Sequence, residues 1–133
     1  MPLGHIGVNV SAFGGAKAYF DELMPMLTFE PFVVTEGQFS YRPGGGKPGT
    51  HIFFYSALET GGYSRHKPGL QHLAFIVESR ALVHQVHEWA RARGDEVIHG
   101  PREFPEYHPG YYATFWYGAE GFMLEAVCHR DEK

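Results

Sequence analysis

The segment Leu3-Gly-His5-Ile-Gly-Val8-Asn-Val10 returns 67 positions later as Leu70-Gln-His72-Leu-Ala-Phe75-Ile-Val77. Each copy alternates apolar with small or polar residues, the pattern of a strand with one buried face. Each carries a histidine at the same place, and each runs into a helical pattern. A chain built this way is an internal repeat, so its fold is that of one unit used twice.

The rest of the chain fills in the unit. In the first half Ser11 is the expected helix cap. Beyond it Ala16, Tyr19, Phe20, Leu23 and Leu27 fall on one helical face, with Pro25 expected in the last turn or at a kink. Strands are expected at 29–35, 38–42 and 50–58, where Phe, Val and Tyr concentrate. The second half repeats this order. Ser79 caps a helix whose stripe is Leu82, Val83, Val86, Trp89 and Ala90 and which stops at Gly94. Strands follow at 96–99, 111–117 and 122–128, the last two joined by the turn Gly118-Ala-Glu-Gly121. The fold class is therefore α+β. Two βαβββ modules, 1–58 and 70–133, are joined by a linker at 59–69 within one domain of 133 residues. The expected architecture is a curved, incomplete barrel whose concave side receives what each module's first strand points inward.

Composition narrows the partners. A net charge of −4 without any Lys/Arg run argues against a nucleic-acid surface. No apolar stretch approaches the roughly 20 residues of a membrane helix, and no leader pattern opens the sequence. The single Cys128 fits a reducing cytoplasm. Aromatic residues at 16% suit pleated sheets and an aromatic-lined cavity for a small molecule.

Two histidines delivered by a repeat start a metal site. Phe122-Met-Leu-Glu125-Ala-Val127 adds an acid between apolar strand residues, where a bare charge needs a partner. His5, His72 and Glu125 form a two-imidazole, one-carboxylate set that suits one divalent ion, Fe, Mn, Zn, Ni or Co, with positions open for substrate. Acid/base candidates are His108, Tyr111 and Tyr112, in or beside the turn-rich Pro105-Glu-Tyr-His-Pro-Gly-Tyr-Tyr112. His51 could point into a cavity or lie exposed. His84 and His87 read as surface residues of the second helix, and His66, His99 and His129 have no partner spacing. Gly44-Gly-Gly46-Lys47 lacks the spacing of a phosphate-binding loop, and Cys128 has no evident base.

These segments resemble a known group. His5–Val10 as His-x-Gly-Val-x-Val, Gln71–Val77 as Gln-His-Leu-Ala-Phe-x-Val, and the ending from Gly110 to Val127 are similar to the vicinal oxygen chelate superfamily, which holds glyoxalases, bleomycin-resistance proteins and extradiol dioxygenases. The resemblance spans essentially the whole chain. It implies that His5, His72 and Glu125 lie at metal-ligand positions, where a divalent ion is chelated by two neighbouring oxygens of the substrate. Glyoxalase I has a fourth ligand, a Glu on the last strand of the first module. Here that position falls on Phe53 or Phe54, which argues against a standard glyoxalase I. The implied function is a metal-dependent enzyme acting on a small oxygen-rich substrate, with dioxygenase-, lyase/isomerase- or thiol-transferase-like chemistry. The other reading is a non-catalytic, bleomycin-resistance-like protein that sequesters a drug or metabolite. Members of this size usually pair, so a cytoplasmic homodimer is expected, with no nucleic-acid or membrane partner.

Overall fold

The structure is a computed structural model and describes residues 3–130. It divides into two compact units, Met1–Gly62 and Tyr63–Lys133. The first contains β1 (His5–Val10), α1 (Phe13–Met26), β2 (Phe29–Val34), β3 (Gln38–Pro43) and β4 (His51–Ser56). The second contains β5 (Leu73–Ile76), α2 (Arg80–Ala92), β6 (Glu96–Glu103), β7 (Tyr112–Tyr117), a 3-10 turn at Ala119–Gly121 and β8 (Met123–Cys128). Each unit is the expected βαβββ. Its sheet runs β1-β4-β3-β2 in the first and β5-β8-β7-β6 in the second. In each, the helix carries the chain to the far edge of the sheet. A three-strand antiparallel meander then returns and lays the last strand parallel to the first. No helix among the described residues is long and apolar enough to cross a membrane.

Alternation decides which face each helix covers. On β4, Ile52 and Phe54 are buried, and the Phe54 ring stacks on Phe20 of α1 at 4.4 Å and on Phe39 of β3 at 4.9 Å. The whole expected stripe of α1 is buried, Leu27 just past its end included. His51, Phe53 and Tyr55 therefore belong to the sheet face away from α1. In the second unit Val83, Val86 and Ala90 are the buried residues of α2. The opposite face of that sheet has its own core, in which Phe104 packs with Ala113, Phe115, Met123 and Val127. Glu125 lies between Met123 and Val127 on β8, so alternation puts it on this same face.

Two local expectations change. α1 begins at Phe13 with Ala12 as its N-cap and no side-chain cap bond, so Ser11 is not the cap. Ser79 does cap α2, its Oγ accepting the Leu82 N–H at 3.1 Å. β6 runs on through Gly100 and Pro101 to Glu103, four residues beyond the expected end at His99. It is an edge strand with two register shifts, so a residue without an N–H interrupts little there. Gly94 (φ +88°) follows α2 in the left-handed region that favours glycine.

Tyr41, 1% exposed, ties β3 to α1 by donating its hydroxyl to Asp21 Oδ1 at 2.7 Å. Burial, then the Asp21 bond and charge, push this phenol well above its ordinary 10.0. The unfolded chain ionises near that ordinary value while the folded chain stays protonated. The stabilisation is thus complete below pH 10 and declines as pH rises, by about 1.4 kcal/mol per pH unit for one group. Tyr41→Phe is expected to remove one proton's worth of that slope in urea unfolding between pH 9.5 and 11. An unchanged slope would refute the assignment.

Candidate metal centre and cavity

A cavity of about 460 Å³ opens on the β7–β8 face of the second unit. Its apolar wall comprises Phe115 and Met123, and Tyr107 and Tyr111 enter from the loop before β7. Gln71, His72 and Glu125 supply the polar side. Glu125 is 1% exposed although it carries a carboxylate. Its register neighbours explain how it is enclosed, with Ala74 on β5 to one side and the Phe115 ring on β7 to the other. Tyr111 donates its hydroxyl to Oε2, and the His72 Nε2 stands 3.4 Å from Oε1. Burial raises the carboxyl above its ordinary range, against the downward pull of the Tyr111 bond and of the His72 and His129 rings. The Tyr111 phenol is also raised, first by burial and then by Glu125.

The His72 ring is oriented by its neighbour. Its Nδ1 is in hydrogen-bond contact with the Gln71 side-chain oxygen, which only accepts, so Nδ1 carries the proton. In the neutral ring Nε2 then turns a lone pair toward the Glu125 oxygen. Glu125 is buried and the His72 side chain is 36% exposed, and either a shared proton or a cation beside the two atoms satisfies both. The donor set fits a divalent metal, and so does the spacing. Bonds of about 2.1 Å to two donors 3.4 Å apart meet at about 108°, near the tetrahedral angle. Gln71 is then the outer partner that fixes the ligand's tautomer. Within the second unit, among the described residues, no third His, Cys, Asp or Glu completes a metal-holding group around this pair.

The other expected residues are distributed as follows. His5 is exposed in the first unit, its ring edge-on to Phe53 at 5.3 Å and its backbone opposite His51. Tyr111 reaches the cavity. Tyr112, the next residue, points away from it. Its hydroxyl meets His84 Nε2 at 2.7 Å and its ring lies under the Arg80 guanidinium at 4.5 Å. His108 is exposed beside Tyr111, with ring centroids 5.2 Å apart. Sequence reasoning passed over Gln71, Tyr107 and His129. Counting by twos from Glu125 through Val127 reaches His129, a signal that was present in the pattern. A larger cavity of about 710 Å³ in the first unit, lined by Asn9, Tyr55 and Glu59 among others, brings no such donor pair together.

Register settles the position left open in the first unit. Ala74 pairs with Glu125, and Gly7, 67 positions before Ala74, pairs with Phe53. Phe53 is therefore the repeat counterpart of Glu125, and Phe54 faces the helix.

No family model and no curated protein matches the chain. Solved structures do. A Bacillus halodurans protein assigned to the glyoxalases is 25% identical, with a TM-score of 0.78 over 95% of this chain and 94% of that one. A glyoxalase/bleomycin resistance protein from Albidiferax ferrireducens is 17% identical, with a TM-score of 0.76 over 95% and 98%. A glyoxylase/bleomycin resistance protein/dioxygenase domain from Frankia is 19% identical, with a TM-score of 0.70 over 98% of both chains. By its fold, the chain belongs to the vicinal oxygen chelate superfamily. This superfamily assignment fixes the scaffold and leaves the reaction to the site. In this vicinal oxygen chelate chain the second module keeps a histidine and a carboxylate in one cavity, whereas the first puts a phenyl ring where the carboxylate would be.

Proposed function

We propose that the chain is a metal-dependent enzyme for a small, oxygen-rich substrate, with His72 and Glu125 as metal ligands. The observation that carries this reading is the buried Glu125 carboxylate facing the lone pair of an oriented imidazole at 3.4 Å. A divalent ion held there would supply Lewis acidity to a substrate that chelates it through two adjacent oxygens. Glu125 and His72 bind, Gln71 holds the His72 tautomer, and the Tyr111 hydroxyl orients the second carboxylate oxygen. The Phe115 and Met123 side chains exclude water from one side, which strengthens each polar contact inside. Tyr111 lines the cavity with its hydroxyl donated to Glu125. His5 is the candidate third ligand on its repeat position in the sequence alone, and Phe53 keeps standard glyoxalase I chemistry out of the proposal. The family resemblance extends the reading to a cytoplasmic homodimer, which sedimentation would test.

The first experiment is metal content by elemental mass spectrometry, on protein purified without a metal-affinity tag and beside His72→Ala. About one Fe, Mn, Ni, Co or Zn per chain, lost in the variant, is the expected result. Iron would direct assays to ring cleavage, and the others to isomerase, lyase or thiol-transfer chemistry. No metal after anaerobic reconstitution would overturn the proposal in favour of a ligand-sequestering protein.

A further inference from the structure

His108 and His129 are not ligands of the site above, although the His129 ring acts on the Glu125 charge, and nothing in their sequence spacing joins them. The fold does. His108 sits in the turn between β6 and β7, which is closed by the Phe104 N–H on the Tyr111 carbonyl at 2.8 Å and the Tyr111 N–H on the His108 carbonyl at 3.3 Å. His129 immediately follows β8. Their rings stack at 5.1 Å with 25° between planes, and the Tyr111 ring stands edge-on to both at 5.2 Å.

We propose that His108 and His129 form a second metal site, a surface pair suited to Cu(II) or Ni(II). Nδ1 of His108 lies 2.8 Å from the Pro109 carbonyl oxygen. A carbonyl only accepts, so this nitrogen carries the proton and the neutral ring presents a lone pair at Nε2. That lone pair faces Nδ1 of His129 at 3.0 Å. A backbone carbonyl on the far ring nitrogen is the outer partner that metal-binding histidines commonly have. The spacing sets the metal class. The 3.0 Å contact is a hydrogen bond, so both rings turn toward an ion to bind it. Bonds of about 2.0–2.1 Å at that nitrogen spacing then meet at roughly 91–97°, the angle of a tetragonal site. Both rings are exposed, so an ion reaches them without disturbing the core, and water fills its other positions. Without the ion, His129 bridges the pair by holding its proton on Nδ1. With the ion that proton moves to Nε2, and the ring stays neutral.

The pair shares no ligand with His72 and Glu125, although Tyr111 touches both rings and bonds Glu125, so the test uses the full-length His72→Ala chain. One equivalent of Cu(II) is added and its electron paramagnetic resonance spectrum is recorded. Expected is one tightly held Cu(II) with hyperfine structure from two imidazole nitrogens, lost in both His129→Gln and His108→Gln added to that background. Circular dichroism checks that each variant is folded, as the exposure of both rings leads one to expect. A spectrum unchanged by both substitutions would assign the copper to other histidines and overturn the proposal, as would Cu(II) removed by simple dialysis.

Discussion

Glu125→Gln is expected to move metal affinity and stability in opposite directions. The carboxamide preserves the shape and still accepts the Tyr111 hydroxyl, while its N–H group faces the His72 lone pair. Metal affinity should fall by more than the roughly 10–100-fold typical of losing an outer-shell partner, because a charged ligand itself is gone. The metal-free protein should become more stable at pH 7. Glu125 is 1% exposed, and burial holds its carboxyl above the ordinary 4.5, so the native state bears a cost whenever that group ionises. The sign follows directly. A raised carboxyl pKa costs nothing below 4.5, and the cost grows as pH rises from 4.5 through the folded value. A gain in stability at pH 7 that fades toward pH 4.5 is the expected signature of a buried charge kept for binding. Thermal unfolding of chelator-treated wild type and variant at both pH values measures it. A variant less stable than wild type at pH 7 would show that the carboxylate is structural.

The second large effect lies in the first unit and on the other face of its sheet. Phe54→Ala removes a ring that is fully buried between Phe20 and Phe39 and should cost about 3–5 kcal/mol. Against a typical total of about 5–15 kcal/mol, that is enough to bring a marginal domain near unfolding. Its neighbour is the internal control. Phe53 is only half-buried, on the face away from α1, and Phe53→Ala should cost less than about 1.5 kcal/mol. Urea midpoints compare the pair. Equal losses would mean that the register assigning Phe53 to the Glu125 position is wrong.

Much of this was readable in the linear pattern because its causes are local. Alternation at β1 and β5, the helical stripe from Ala16 to Leu27, the Ser79 cap and the Gly94 stop each depend on residues within a turn or two. The 67-residue repeat turned those local signals into a fold and singled out His5 and His72, of which the cavity holds His72. An acid between Leu124 and Ala126 announced that something must be found for its charge.

What the pattern lacked was register and direction. Phe53 and Phe54 differ by one position, and only the parallel pairing of β1 with β4 put Phe53 opposite Gly7. Tyr111 and Tyr112 look alike in sequence, yet Tyr111 ends the loop before β7 and Tyr112 begins the strand, so one bonds Glu125 and the other His84. The strand expected at 96–99 runs on to Glu103 because β6 is an edge. His108 and His129, 21 positions apart, meet because a turn closes beside the end of β8. Sequence periodicity determines which residues are buried and which element they form. Which side chains stand within 3 Å of each other depends on strand register and loop closure, and those are set by packing across the whole sheet.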